Sequence, residues 1–326
     1  MLVRVTHHAL LPIHTERLTL RPATDDDLEA LLSYYSDPEV VRFLLHPAWT
    51  REEAATQVPE LVTRTGPHSP SRALLAVVEH EGRVVGDVGL SVTDAAGAVG
   101  EIGWVFRRDA GGKGLAAEAA GALLDAAFVH YGMHRVIARL DARNTASARL
   151  CERIGMTREA LLRQDWWSKG EWSDTEVFGA LASDRPRDVG DAIVVSAVVL
   201  TDADGAVLTV RKRGTGAFMH PGGKPDPGET PAQCALREVE EELGLVLDPQ
   251  QLDLVAVHRT AAANESGRPL IASVFSHPHL SGQTRPEVLP AAEIEEVRWV
   301  ARSEPPPEDS APLLRLVLDA AGSPDA

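Results

Sequence analysis

Short stretches in which hydrophobic and polar residues alternate recur along the first half of the chain, and this pattern predicts half-buried β-strands. Leu18 and Leu20 alternate with polar neighbours in the first stretch. Longer runs rich in valine, leucine and isoleucine follow at 72–79, 83–92, 99–106 and 135–141. Helical signals lie between the runs, including Thr50 and Glu53 at the spacing of a capping box. The first half is therefore predicted to mix strands with helices.

The second half begins with two more predicted strands, 191–201 and 206–213, which are joined by a polar turn. The segment 183–190 before them is polar, contains proline and glycine, and has no apolar periodicity. We therefore predict an α/β and α+β fold class in two domains: 1–183, a linker at 184–190, and 191–326.

Length and charge narrow the class of protein. A chain of 326 residues is long enough for two domains that each bury a core. The formal charge of −16 argues against a general binder of nucleic-acid polymers or of anionic membranes. Cys151 and Cys234 lack metal-ligand spacing and are predicted to be buried thiols in a reducing compartment. No signal peptide is recognisable and the longest apolar stretch, 192–200, is too short to span a bilayer, so we expect a cytoplasmic protein that does not contact membranes.

A helix is predicted after the glycine- and proline-rich loop at 223–229. Thr230 can cap its first turn, Pro231 suits the first helical position, and Gly244 suits the end.

Three carboxylates share one face of this helix, because Glu238, Glu241 and Glu242 recur at spacings of three and four residues. Like charges at such distances are costly unless a cation lies among them. Carboxylate oxygens suit Mg²⁺ or Mn²⁺, and Mg²⁺ commonly bridges protein carboxylates to substrate phosphates. The cluster therefore predicts a divalent-metal site that faces a phosphorylated ligand, and a solvated glutamate-rich helix is the alternative interpretation.

The same residues resemble the signature of the Nudix hydrolases, which is Gly, five residues, Glu, seven residues, then Arg-Glu-apolar-x-Glu-Glu-x-Gly-apolar. This chain fills the fixed positions with Gly223, Glu229, Arg237, Glu238, Val239, Glu241, Glu242, Gly244 and Leu245. The resemblance covers about 190–320. It implies a Nudix-type α/β/α sandwich and the hydrolysis of a diphosphate linked to another group, commonly a nucleoside.

The resemblance also implies roles for individual residues. The predicted metal ligands are Glu238, Glu241 and Glu242, with the Gly222 carbonyl as a further ligand. A bound metal would neutralise phosphate charge and lower the pKa of the attacking water. The predicted catalytic base is Glu241, and Glu295 and Glu296 from a later loop are alternatives. We expect Arg237 and Glu229 to form a structural pair.

Several residues before and after the motif could contact a substrate. Arg211 and Arg213 share one face of a predicted strand and either hold phosphates or line a solvated edge. Phe218 either stacks on a base or fills the core. A later region could also line the pocket through Arg259, Asn264 and Glu265.

The first half has its own candidate for phosphate binding, a glycine-rich turn followed by a predicted helix at about 117–131. A turn of this kind exposes backbone N–H groups at the positive end of the helix dipole, where they can bind phosphate. The residues of the turn are Gly111, Gly112, Lys113, Gly114, Leu115 and Ala116. A purely structural turn is the alternative.

Four motifs in order strengthen the phosphate-binding interpretation: Thr-Glu-Arg-Leu-x-Leu-Arg at 15–21, Gly-Lys-Gly-x-Ala at 112–116, Asn-x-x-Ser at 144–147 and Ile-Gly-Met at 154–156. Together they resemble the GNAT N-acetyltransferases over about 10–182, and most closely the branch that acetylates ribosomal-protein N-termini. The resemblance implies a mixed sheet with helices and acetyl-CoA as co-substrate. The turn would cradle the pyrophosphate, and Asn144 would face the pantetheine arm or the acetyl-transfer site. The family usually has Gln or Arg where this chain has Gly111.

The acetyltransferase resemblance also suggests groups that handle protons. Glu101 matches the position of a general base that accepts a proton from an amine, although it could simply open a strand. The tyrosine acid of some relatives has no counterpart in 147–154, where Ser147 is a substitute or a helix cap. Three tryptophans, Trp166, Trp167 and Trp172, are expected to cover the end of a sheet rather than form an acceptor pocket.

The sequence thus predicts a bifunctional enzyme. One domain would hydrolyse a nucleoside triphosphate or a nucleoside diphosphate derivative with Mg²⁺ or Mn²⁺. The other would transfer acetyl from acetyl-CoA to an amine on a small molecule or a protein N-terminus. The alternative is a ligand-binding sensor or regulatory module in which one or both activities are lost.

Overall fold

The computed structural model of the protein describes residues 10–184, 192–261, 268–301 and 305–320. These residues fall into two compact units, one within Ala9–Gly190 and one within Asp191–Ala326. The predicted linker lies outside the described residues except for Asp184, so the exact domain boundaries stay a prediction. The two-domain mixed α/β fold class is confirmed, and both cysteines are buried free thiols as expected.

A mixed sheet forms the centre of the first unit. Its strands are β1 (Ile13–His14), β2 (Leu18–Pro22), β3 (Thr65–Gly66), β4 (Ala73–His80), β5 (Arg83–Val92), β6 (Val99–Phe106), β7 (Arg135–Asp141), β8 (Thr157–Ser168) and β9 (Glu171–Leu181). They lie in the order β1-β2-β4-β5-β6-β7-β9-β8, with β3 beside β4. β6 and β7 run parallel, and the other neighbours run antiparallel.

Helices pack on this sheet: α1 (Leu28–Tyr35), α2 (Arg51–Val62), α3 (Leu115–Val129) and α4 (Thr145–Arg153). The predicted capping box of Thr50 and Glu53 opens α2. Thr24 precedes a short 3₁₀ turn at Asp25–Asp27, which continues as α1. Tyrosines of α1 pack with aliphatic residues of α2 and β4 in one buried core.

The second unit contains β10 (Ile193–Leu200), β11 (Val207–Lys212), β12 (Gly222–Gly223), β13 (Asp253–Ala261), β14 (Pro269–His277), β15 (Ile294–Val300), α5 (Pro231–Leu243) and α6 (Pro312–Ala320). One sheet has the order β12-β10-β14-β13, and β11 pairs with β15 in a second sheet. Apolar residues of both sheets form one core beneath α5 and another beneath α6.

The two predicted strands on either side of the turn at 202–205 are present, but they do not pair with each other along their length. They meet in a single bridge, Thr201–Val207, and then enter different sheets, β10 beside β14 and β11 beside β15. The runs are apolar on both faces, so the sequence could not show which partner each would take.

The helix signals at α5 are all observed. The Thr230 hydroxyl accepts a hydrogen bond from the Gln233 N–H at 3.3 Å, Pro231 is the first helical residue, and Gly244 ends the helix at φ 67°. Among the described residues, no helix combines the length and hydropathy needed to cross a bilayer.

Candidate functional site

The glutamates of α5 lie against the two glycines of β12. The Gly222 N–H donates a hydrogen bond of 2.9 Å to Glu242 Oε2. The Glu238 carboxylate lies over Gly223, so close that a Cβ atom there would be 2.4 Å from its Oε1. A Cβ atom at Gly222 would lie 2.1 Å from the Ser196 carbonyl oxygen on β10. A Cβ atom at Gly222 would therefore meet fixed backbone, whereas one at Gly223 would displace the Glu238 carboxylate.

Lys212 faces the buried end of this cluster. Its Nζ lies 3.0 Å from Glu242 Oε1 and 2.6 Å from Glu293 Oε1. The Glu242 side chain is only 1% exposed. Burial raises the pKa of Glu242 to about 7, and the nearby ammonium group of Lys212 acts in the opposite direction. The carboxylate thus has a countercharge supplied by the protein itself.

Arg237 holds the rest of the cluster. Its Nε and Nη2 donate to the two carboxylate oxygens of Glu229 at 3.0 and 2.9 Å, which confirms the predicted structural pair. Its Nη1 donates to Glu238 at 2.9 Å and to Glu241 at 3.2 Å. Glu241 stays at the rim, with 55% of its side chain exposed.

A pocket of about 520 Å³ opens beside these residues. Its polar wall contains Lys212, His220, Lys224, Glu238, Glu241 and Glu293. Its apolar wall includes Ile193, Val195, Leu270 and Leu313. The pocket therefore combines an apolar surface with two lysines and the glutamates at one side.

The donor chemistry of this cluster suits a hard divalent cation. Glu238 and Glu242 present carboxylate oxygens beside the backbone of Gly222 and Gly223, and Glu241 stands at the rim. In the part of the chain that the structure describes, no group of three His, Cys, Asp or Glu side chains is arranged to hold a metal ion. Arg237 and Lys212 instead lie beside the carboxylates. The ligand set Gly222, Glu238, Glu241 and Glu242 stays a prediction.

Other predicted contacts have different positions. Glu295 and Glu296 each lie 2.8 Å from Arg211, whereas Glu293 lines the pocket. Phe218 is buried, with the Arg298 guanidinium 3.6 Å from its ring centre, so it fills the core. Arg259 lies in β13, and Asn264 and Glu265 lie outside the described residues.

Two residues of the site, Lys212 and Glu293, are not among those predicted from the sequence. Because side chains alternate along a strand, Lys212 is expected to point to the opposite face from Arg211 and Arg213. This alternation is the one sequence signal that could have singled out Lys212. The sequence did not show which face would meet α5.

In the first unit, the glycine-rich turn leads directly into α3. Gly112 and Gly114 adopt φ of 75° and 78°, whereas Gly111 has an ordinary φ of −64°. Gly114 is the N-cap of α3, so the first N–H groups of the helix point toward the turn. This geometry suits an anionic ligand.

The pairing of β6 with β7 is short. β6 pairs with β5 from Gly100 to Phe106, but its register with β7 covers Val99–Glu101. Glu101 is thus the last residue of β6 that pairs with β7. Burial raises the pKa of Glu101, and Arg139 acts against this shift.

Asn144 and Ser147 lie at the start of α4. The Asn144 side chain accepts a hydrogen bond from the Ser147 N–H at 3.1 Å and so caps the helix. The Ser147 hydroxyl accepts one from the Trp104 indole at 3.3 Å. The three tryptophans Trp166, Trp167 and Trp172 are 42%, 57% and 56% exposed, so the expectation that they cover the sheet end was wrong. The long β8–β9 hairpin carries them into solvent.

The protein thus has two candidate sites: a glycine-rich turn that suits an anionic ligand in the first unit and a carboxylate cluster beside a pocket in the second. Residues 17–157 match the family model of the Acetyltransferase (GNAT) domain, and residues 191–320 match that of the NUDIX domain. The chain belongs to the GNAT acetyltransferase family through its first part and carries a NUDIX domain in its second. It therefore combines an acetyltransferase domain with a Nudix hydrolase domain, and both expected families are confirmed.

Individual relatives match each part. The "Uncharacterized N-acetyltransferase p20" of Bacillus licheniformis is 30% identical over 169 residues, which cover 52% of this chain and 95% of that protein. The RNA pyrophosphohydrolase of Aeromonas hydrophila is 37% identical over 62 residues, which cover 19% of this chain and 34% of that protein. A solved GNAT acetyltransferase from Bacillus anthracis is 30% identical, with 53% of this chain and 99% of that chain covered at a TM-score of 0.48.

Proposed function

We propose that the protein is a bifunctional cytoplasmic enzyme. Its second domain hydrolyses a nucleoside triphosphate or a nucleoside diphosphate derivative in the presence of Mg²⁺ or Mn²⁺. Its first domain transfers acetyl from acetyl-CoA to an amine on a small molecule or a protein N-terminus.

One observation carries the hydrolase proposal: Glu238 and Glu242 meet the backbone of Gly222 and Gly223 beside a pocket of about 520 Å³. When bound, the metal ion supplies charge neutralisation and a lower pKa for water. Glu238, Glu241 and Glu242, with the Gly222 carbonyl, would hold it.

Other residues of the pocket support a nucleotide-type ligand. Lys212 and Lys224 offer positive charge to phosphates, and the apolar wall offers surface to a nucleoside. Glu241 is the best candidate for the base, because it lines the pocket and remains accessible at the rim. A proton acceptor must be within reach of the water it activates.

For acetyl transfer, the supporting observation is the turn at Gly112 and Gly114, which opens onto the first N–H groups of α3. Its backbone, from Gly111 to Ala116, would bind the pyrophosphate of acetyl-CoA. Glu101, where the pairing of β6 with β7 ends, would accept the proton that the amine loses. Asn144 would lie near the pantetheine arm.

The hydrolase is tested by measuring the release of phosphate and pyrophosphate with Mg²⁺. The panel contains canonical and oxidised nucleoside triphosphates, nucleotide sugars, dinucleoside polyphosphates and CoA. A 5′-triphosphorylated RNA belongs in it because of the RNA pyrophosphohydrolase relatives. We expect turnover of a small nucleotide that Glu241→Gln and Glu242→Gln abolish, and failure of wild type across the panel would contradict the proposal.

The acetyltransferase is tested by thiol release from acetyl-CoA with a panel of amines and peptide N-termini. A sensor or regulatory module is the alternative for either domain. Ligand-induced stabilisation without turnover of any substrate would favour it, whereas turnover would exclude it for that domain.

A further inference from the structure

The Thr-Glu-Arg-Leu motif lies against the glycine-rich turn of the first unit. The Arg17 Nη1 donates a hydrogen bond of 2.9 Å to the carbonyl of Lys113, which is in the middle of the turn. Its Nε donates at 2.7 Å to Oε2 of Glu118, in the first turn of α3. One guanidinium group thus contacts both the turn and the helix that follows it.

Glu118 completes the arrangement from the helix side. Its Oε1 accepts hydrogen bonds from the Thr15 hydroxyl at 2.6 Å and from the Arg17 N–H at 3.0 Å. Its side chain is 14% exposed. Burial alone would raise the pKa of Glu118, but the hydrogen bonds from Thr15 and Arg17 lower it, so the carboxylate stays charged.

The geometry requires an arginine. A guanidinium group has several N–H donors in a fixed plane and can donate in two directions, whereas a lysine ammonium group is a single point charge. Here one edge binds Glu118 and Nη1 reaches Lys113. An Arg17→Lys variant would retain the charge but could not span both partners.

This arrangement also bears on Gly111, the first residue of the turn. A side chain at that position can stiffen the turn from within, and glycine cannot. The contacts of Arg17 stabilise the turn from outside, through the carbonyl of Lys113.

We infer that Arg17 and Glu118 form a brace that holds the turn at 112–116 in its phosphate-binding conformation. The inference rests on the proposed binding of acetyl-CoA at this turn. Both members are positioning residues, since they act on the backbone of the turn. Neither is assigned a contact with the reacting atoms.

A direct contact between Arg17 and a phosphate is the competing explanation, and the two explanations predict opposite effects at Glu118. If charge attraction alone decided affinity, the removal of a negative charge beside the turn would strengthen CoA binding. If the brace decides it, Glu118→Gln weakens CoA binding, because the turn loses its support. Arg17→Lys also distinguishes the two explanations, because lysine keeps the positive charge but cannot make both hydrogen bonds of the guanidinium group.

The experiment has two readouts on the full chain: hydrogen–deuterium exchange of the amides at 112–118 without ligand, and the dissociation constant of CoA by calorimetry. The variants are Arg17→Lys and Glu118→Gln. The matched control is Arg51→Met, which removes an exposed ion pair with Glu29 elsewhere in the same unit.

We expect Arg17→Lys and Glu118→Gln each to raise the exchange and weaken CoA binding about tenfold, as for the loss of a charged hydrogen bond. Arg51→Met should change neither. Unchanged exchange in both variants would overturn the brace, as would tighter CoA binding by Glu118→Gln. If wild type binds no CoA, acetyl-CoA binding fails as a proposed function, while the exchange data still decide whether the brace orders the turn.

Discussion

The two units each bury a carboxyl group whose pKa is raised to about 7, yet the surroundings of these groups differ. Asp87 on β5 lies in the first unit, where it accepts hydrogen bonds from the hydroxyls of Tyr34 at 2.7 Å and Tyr35 at 3.3 Å. Glu242 lies in the second unit, with the Lys212 ammonium group 3.0 Å away and the Gly222 N–H bonded to it.

Burial and a raised pKa are therefore not enough to identify a functional site. Asp87 is hydrogen-bonded only to the neutral hydroxyls of Tyr34 and Tyr35 among the contacts described, and Arg64 acts on it through charge without a hydrogen bond. Both tyrosines belong to the packed core of α1 and α2. Glu242 has a charged partner, and its neighbours Lys212, Gly222 and Glu238 line a pocket. The charge of the partners and the adjacent open space distinguish the candidate site from a structural polar group.

The largest loss of stability is expected for Gly222→Ala, at the glycine whose N–H binds Glu242. Gly222→Ala places a Cβ 2.1 Å from the Ser196 carbonyl oxygen at a φ of 146°. Strain and overpacking together should lower the free energy of unfolding by about 3 kcal/mol or more. Chemical denaturation of both proteins measures this.

Gly228→Ala is the matched control for Gly222→Ala. Gly228 also has a positive φ, of 83°, but a Cβ there meets nothing within 4 Å. We expect the control to cost only about 1 kcal/mol. Equal losses in the two variants would show that the contact with β10 is unimportant.

The next effect concerns the countercharge of Glu242. Lys212→Met leaves a buried carboxylate without its ammonium partner, and we expect a loss of about 2 kcal/mol in unfolding free energy. Arg211→Met is the control, because its partners Glu295 and Glu296 are about half exposed. Its expected loss is smaller than that of Lys212→Met, because solvent screens ion pairs at the surface. If Lys212→Met lost no more stability than Arg211→Met, the buried ion pair of Lys212 with Glu242 would contribute no more than the exposed ion pairs of Arg211.

A third test uses pH to probe Asp87. Burial raises the pKa of Asp87 from its ordinary value of 3.8 to about 7, although the hydrogen bonds from Tyr34 and Tyr35 act in the opposite direction. The folded state therefore keeps the Asp87 proton up to about pH 7. Between these values the folded state binds more protons, so the contribution of Asp87 to stability is greatest at low pH and is lost as pH rises toward 7. Asp87→Asn carries no titrating group and should flatten this decline.

The difference in unfolding free energy between Asp87→Asn and wild type should shift in favour of the variant by up to roughly 4 kcal/mol from pH 4 to pH 8, at about 1.4 kcal/mol for each unit of pKa difference. Denaturation of both proteins across this range, followed with a probe in the first unit, gives the curves. If the stability of the two proteins changed with pH in parallel, the pKa of Asp87 would not be raised in the folded state. Asp87 and Glu242 would then differ in pKa as well as in their partners.

The smallest effect is expected for Glu241→Gln. The side chain is 55% exposed and bonded to Arg237 at 3.2 Å, so its removal should change stability by less than about 0.5 kcal/mol without metal. Thermal melting with and without Mg²⁺ should show less stabilisation by the metal in the variant than in wild type. Equal stabilisation of both proteins would exclude Glu241 as a ligand.

The sequence was most informative where local signals and side-chain spacing decide structure. Thr230, Pro231 and Gly244 predicted the ends of α5 correctly, and the strands at 83–92, 99–106 and 135–141 have the bounds that the apolar runs indicated. The pairing of Arg237 with Glu229, which the Nudix resemblance led us to expect, is also observed.

Long-range pairing could not be predicted in the same way. Lys212 reaches Glu242 because β11 joins β15 instead of β10, and Arg17 reaches Lys113 across 96 residues of sequence. The exposure of Trp166, Trp167 and Trp172 depends on a long hairpin whose packing the composition did not reveal. These features follow from tertiary contacts that no local pattern encodes.

The metal site at the glutamates of α5 is tested most directly by measuring Mn²⁺ binding with electron paramagnetic resonance. The measurement is made in the presence of a nucleotide that wild type binds. The variants are Glu238→Gln and Glu242→Gln, with Asp87→Asn as the control for a buried carboxyl group that does not line the pocket. We predict that wild type and Asp87→Asn bind Mn²⁺ equally, whereas each glutamine variant binds it at least about tenfold more weakly. Undiminished Mn²⁺ binding by both glutamine variants would contradict a metal site at the glutamates of α5.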